Sequence, residues 1–182
     1  MSANDNNTPP GKSPFWLFSV RLYGLPGVAP ACIALQDEAG VDVNVLFFLL
    51  WNATQSRALS VADVSQIEQA IGPWRDMAVV PIRNVRRALK SPPPVMAPDA
   101  AEGLRNRVKA VELEAERLQQ EALYRLAQQQ GGPLGHSVAT PLEAARASIA
   151  SYQTLVKPMP AGALEAVFAA FAAFKAPPVD GV

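Results

Sequence analysis

Hydrophobic positions recur along most of this chain at three- and four-residue spacing, and no convincing alternating stretch reads as a strand. The densest run is Asp42 to Trp51, Asp-Val-Asn-Val-Leu-Phe-Phe-Leu-Leu-Trp, in which Asn44 is the one polar side chain after the capping aspartate. A helix that is apolar on every side must be enclosed. Spanning a bilayer takes about 20 apolar residues, so this run is too short for lipid and predicts the central helix of a helical domain. Around it, Ser13-Pro14 opens a helix that Gly24 stops. A second helix is predicted from Val28 to Ala39, with Gly40 as terminator and Ala31 and Leu35 facing inward. Only Val41 separates that stop from the Asp42 cap, so the two helices must meet at a sharp corner.

Ser60 and Asp63 approximate a capping box before an amphipathic helix carrying Val61, Val64, Ile67 and Ile71. Gly72-Pro73 is expected to end it and start another, with Trp74, Met77, Ala78, Ile82, Val85 and Leu89 inside and a kink or break at Pro81. Ser91 to Pro98 reads as a stiff linker. Beyond it, Leu104, Val108, Val111, Ala115, Leu118 and Ala122 repeat as a coiled-coil seam. A Gly-rich loop at 131–135 and a helix restarting at Thr140-Pro141 imply an antiparallel hairpin. A last helix with Leu164, Val167, Phe168, Phe171 and Phe174 is too apolar to stay exposed alone. The expected fold is all-α: a tail at 1–12, a helical core at 13–90, a linker at 91–99, the hairpin and final helix at 100–175, and a tail at 176–182.

Composition narrows function mainly by exclusion. Lys+Arg and Asp+Glu number 16 each, so no net field draws the chain to nucleic acid or anionic lipid. The single cysteine, Cys32, excludes an intramolecular disulfide and favours a reducing compartment. Met1 to Lys12 lacks the basic-then-apolar order of a signal peptide, so a cytoplasmic location is the expectation. No run is long enough to span a membrane. Cys32 and His136 fall in a core helix and a glycine loop, which argues against a nucleophile–base pair. No set of three or four ligands suggests zinc, and no cofactor is expected.

Two polar features could carry function. Asp37, Glu38 and Asp42 surround the Gly40 corner, and Asn44 lies just beyond them. Arg83, Arg87 and Lys90 share one face of a helix, with Arg86 at its border. That face could be solvated, could bind phosphate groups, or could reach Asp37 or Asp42. The leading expectation is a non-enzymatic interaction module that uses the heptad-patterned helices for a protein partner or for self-association. The alternative is a small-ligand site or active site formed by Asp37, Asp42, Asn44, Arg83 and Arg87. A further one is anion or nucleic-acid binding through Arg83, Arg86, Arg87 and Lys90.

Three stretches in order carry a family resemblance: Phe-Trp-Leu-Phe-Ser-Val-Arg-Leu-Tyr-Gly-Leu-Pro-Gly-Val at 15–28, Ala-Cys-Ile-Ala-Leu-Gln-Asp-Glu-Ala-Gly-Val-Asp-Val-Asn-Val-Leu at 31–46, and Pro-Trp-Arg at 73–75 with Pro-Ile-Arg-Asn-Val-Arg-Arg-Ala-Leu-Lys at 81–90. Together they resemble a family of small bacterial proteins known only as a domain of unknown function, with weaker similarity through 108–117. The resemblance covers roughly residues 13–130. It implies a helical bacterial cytosolic protein and lends no activity, cofactor or catalytic residue.

Overall fold

A computed structural model describes residues 13–174; the predicted tails at 1–12 and 176–182 lie outside the described residues. The fold is all-α. Its helices are α1 (Pro14–Tyr23), α2 (Val28–Ala39), α3 (Val43–Ala53), α4 (Val61–Trp74), α5 (Val80–Ala88), α6 (Pro98–Gln129), α7 (Pro141–Gln153) and α8 (Ala161–Ala173). The sheet is a two-residue antiparallel ladder, β1 (Arg57–Ala58) with β2 (His136–Ser137).

Helix α3 occupies the centre. Phe48, Leu49, Leu50 and Leu46 are fully buried, with α1, α2, α6, α7 and β1 around them. Phe15 meets Phe48 edge-on at 5.3 Å between ring centroids, and Trp51 stacks on Phe48 at 5.8 Å. Asp42 caps α3 by accepting from the Asn44 and Val45 amides. The helix stops at Ala53, and Ser56 adopts φ 52° in the turn beyond it.

The last two helices close over this centre. α7 packs along α3 and α4 rather than along α6, and α8 lies on α2. One hydrophobic core therefore takes residues from both sides of the proline-rich segment at 91–97. Buried polar bonds fix α7: the Leu59 amide donates to Ser148 Oγ at 2.9 Å, and the Asp42 amide donates to the Tyr152 hydroxyl at 3.0 Å. Gly135 is required where the loop passes β1, because a Cβ there would run into the Ala58 carbonyl.

The second proline-marked boundary behaves differently from expectation. Gly72-Pro73 does not end α4, which continues to Trp74 and passes through a π-helical turn, Arg75–Val79, directly into α5. Pro73 and Gln69 are both exposed, so the carbonyl that Pro73 leaves without a donor can be solvated. Ahead of Pro81, the Val80 amide reaches five residues back to the Arg75 carbonyl. The extra residue in this turn rotates α5 by about 100° relative to α4. Val79 is consequently buried, while Met77 and Val85, both expected inside, are exposed.

Candidate functional site

The polar groups assemble where the Gly40 corner meets the middle of α6. Gly40, at φ 72°, ends α2 and lets the chain turn at once into the Asp42 cap. Asp42 Oδ2 accepts from Gln119 Nε2 at 2.6 Å. Gln119 Oε1 accepts from Asn44 Nδ2 at 2.9 Å, and Asn44 Oδ1 accepts from Gln120 Nε2 at 2.7 Å. A carboxylate can only accept, so it fixes which end each amide in this chain presents to the next.

Asp42 has an ion partner in Arg75, 3.5 Å away, and Arg75 also pairs with Glu68 at 2.7 Å. Glu68 and Asp42 hold the Arg75 guanidinium charged against the opposing effect of burial, and burial pushes the Tyr152 phenol well up. The predicted groups are thus partly brought together. Arg87 reaches Asp37 at 2.6 Å, joining α5 to the end of α2, and the Arg87 guanidinium holds the Asp37 carboxyl below its usual range. Arg83 turns instead to α6, with Glu112 at 3.0 Å and Glu116 at 2.6 Å. Arg86 also pairs with Glu112. Asn44 belongs to the amide chain, and Lys90 makes no ion pair among the described residues.

The two glutamates sharing Arg83 are driven in opposite directions. Burial pushes both up, but at Glu112 the two arginines prevail and hold the carboxyl below its ordinary range. At Glu116 burial prevails over Arg83, helped by the charges of Glu112 and Asp42, and its pKa is raised. Cys32 is buried, and burial pushes its thiol up to about 12, which removes thiolate chemistry near neutral pH. His136 lies exposed in β2.

These groups border two clefts that share Arg83, Lys109, Glu116 and the α1–α2 wall, of about 520 Å³ and 590 Å³. Glu112 and Gln119, buried on α6 where apolar residues are usual, are what the heptad reading passed over. Arg75, Glu68, Gln120 and Tyr152 were also unmarked. Glu112 and Gln119 lie one heptad apart beside the apolar seam, and a polar pair at that spacing is the signal that could have found them.

The opposite side of α6 is apolar and open. Leu104, Val111 and Leu118 are 42%, 55% and 40% exposed. At about 100° per residue they lie across the helix from Lys109 and Leu113, which face the clefts. Val85 on α5, 51% exposed, turns away from the side on which Arg87 meets α2.

The class defined by these observations is an all-helical protein with a buried polar layer and an open helical flank. A family model described as "Protein of unknown function (DUF2390)" matches residues 14–123, more than half of the chain, and the chain belongs to that family. The matched segment holds the corner, the arginine helix and the amide chain, but ends before α7. No curated protein and no solved structure matches the chain. No single helix among the described residues is long and apolar enough to cross a membrane.

Proposed function

We propose that this protein is an interaction module whose contact surface is the open flank of α6, and that its partner on that flank is a second copy of the chain. The supporting observation is the exposed line Leu104, Val111 and Leu118. Leaving three large side chains at heptad spacing in water is unfavourable by about 25 cal/mol per Å². The line is self-complementary. A two-fold axis through Val111 sets Leu104 against Leu118 of the second copy in an antiparallel pair. The same axis brings Arg107 beside Glu114 of the second copy, twice. Arg107 has no ion pair among the described residues, and Glu114 holds only the half-buried Arg117 of its own helix.

Sedimentation equilibrium on the full chain tests this reading. The wild type is expected to dimerise in the micromolar range, and Val111→Glu to be monomeric with an unchanged circular dichroism spectrum. Arg107→Glu weakens the dimer by like-charge contact, and Arg107→Glu with Glu114→Arg restores it. A wild-type monomer throughout that range, or a Val111→Glu dimer, contradicts the reading.

A further inference from the structure

Four of the large apolar side chains left in water gather in one concavity. Val20 and Tyr23 of α1, Ile33 of α2 and Leu113 of α6 are 52%, 44%, 53% and 57% exposed. All four line the cleft of about 520 Å³, where half-buried Trp16 extends the α1 wall and α3 forms the floor. Apolar side chains scattered singly over a surface need no explanation, whereas a contiguous patch with a polar rim marks a contact site. The α6 wall runs from Lys109 to Gln120, a length of about 16 Å, or roughly three helical turns.

The charge along this groove is one-sided, although the whole chain is neutral. The groove and the cleft that continues it are lined by Arg83, Arg86, Arg87, Lys90, Lys109 and Arg117, and by the carboxylates Asp37, Asp42, Glu112 and Glu116. Six minus four leaves a net +2. Each of those carboxylates already holds an arginine: Asp37 has Arg87, Asp42 has Arg75, and Glu112 and Glu116 share Arg83. Lys90 and Lys109 are exposed and form no ion pair among the described residues. The charge left unspent on the rim is therefore positive. Complementarity selects an occupant that is apolar along one face and acidic beside it.

We infer that the groove between α1, α2 and α6 binds an amphipathic helix of a partner protein, with Asp or Glu beside its apolar face where that face meets Lys90 and Lys109. A helix of three turns presents apolar anchors at i, i+3 or i+4, and i+7 over this length. They would lie against Val20, Tyr23, Ile33 and Leu113. A second copy of the chain fits this face poorly, because a two-fold axis through it sets one basic rim against the other. The flank carrying Arg107 and Glu114 offers both signs, which is why self-association is placed there. A concave wall also suits a helix better than a bilayer surface, which cannot follow it inward. The groove lies across α6 from the proposed dimer flank and does not depend on it.

A displayed library of helical peptides about 14 residues long, selected on the full chain, tests the groove. Enriched sequences are expected to repeat large apolar residues at i, i+3 or i+4, and i+7, with acidic residues flanking them. Fluorescence anisotropy of the most enriched peptide then reads the contact. Ile33→Glu and Leu113→Glu, both at exposed positions, should each weaken binding about tenfold or more. Lys90→Glu with Lys109→Glu should weaken it about as much, and exchanging the peptide's acidic residues for lysine should restore binding to that variant. Val111→Glu on the dimer flank should leave binding unchanged, which separates this inference from the proposed self-association. Absence of any enriched peptide, enrichment without acidic residues, or binding that Ile33→Glu and Leu113→Glu leave unaltered overturns the inference. Adsorption to phosphatidylglycerol vesicles that Leu113→Glu abolishes, in the absence of peptide binding, also overturns it and gives the face to a membrane.

Discussion

Helix α3, apolar on every side, and the α5–α6 pair, each with a polar face, are held in place by opposite means. Around α3 the contacts are Phe, Leu and Val at nearly complete burial, with aromatic rings filling the gaps. Between α5 and the first half of α6 no comparable apolar cluster forms, and α5 has no buried residue at all. That pair is joined by Arg83 and Arg86 on Glu112 and Glu116, and tied to α2 by Arg87 on Asp37. Apolar burial is non-directional and tolerates small adjustments. Charge-assisted bonds specify position, but their net contribution is reduced by desolvation. One helical chain can thus contain a part built for stability and a part whose apolar side chains remain available.

The largest break in this contrast comes from the core. Phe48→Ala removes a fully buried ring from the aromatic cluster and should cost about 3–5 kcal/mol in urea unfolding. Asp42→Ala is next. It removes the α3 cap and leaves the buried Gln119 amide N–H without its acceptor, while Arg75 keeps Glu68, for an expected loss of about 2–4 kcal/mol by the same measurement. Glu112→Gln acts on the other region and should cost about 1–3 kcal/mol, with faster amide exchange in α5 before any change in α3.

The smallest effects are those of pH, and they separate the two glutamates. Glu112 and Asp37 have depressed pKa values in the folded state, so their contributions are present above the ordinary carboxyl range and fall away as pH drops through the folded values. Glu116 has a raised value, so its effect has the other sign: stability declines as pH rises from the ordinary glutamate range to the folded value. Urea unfolding across that acidic range should show Glu112→Gln flattening the loss on acidification. Glu116→Gln should flatten the decline on the rising side.

The sequence was most legible where one property decided the outcome. Capping residues and glycine stops predicted α1 to α3, because Ser13, Gly40 and Asp42 act within a few residues of themselves. The apolar last helix was expected to be covered, and α8 packs on α2. Legibility failed where two distant segments decide together. The π turn before Pro81 shifts the phase of α5, which no local pattern announces. The buried face of α6 includes Glu112 and Gln119 because Arg83, Arg86, Asp42 and Asn44 await them there. Hydropathy alone marks the apolar seam, of which Leu104, Val111 and Leu118 stay open, and is silent about the polar residues beside it that are buried. At the corner, of the three roles left open for the arginine face, pairing with aspartate is the one that Arg87 takes with Asp37. Asp42 took Arg75 instead, a residue one π turn earlier.

Hydrogen–deuterium exchange of the full chain at two protein concentrations tests both regions in one experiment. The account predicts that peptides covering 98–118 gain protection at the higher concentration, while peptides of α3 are strongly protected at both. Equal exchange of 98–118 at the two concentrations would contradict it, as would concentration-dependent protection confined to α3.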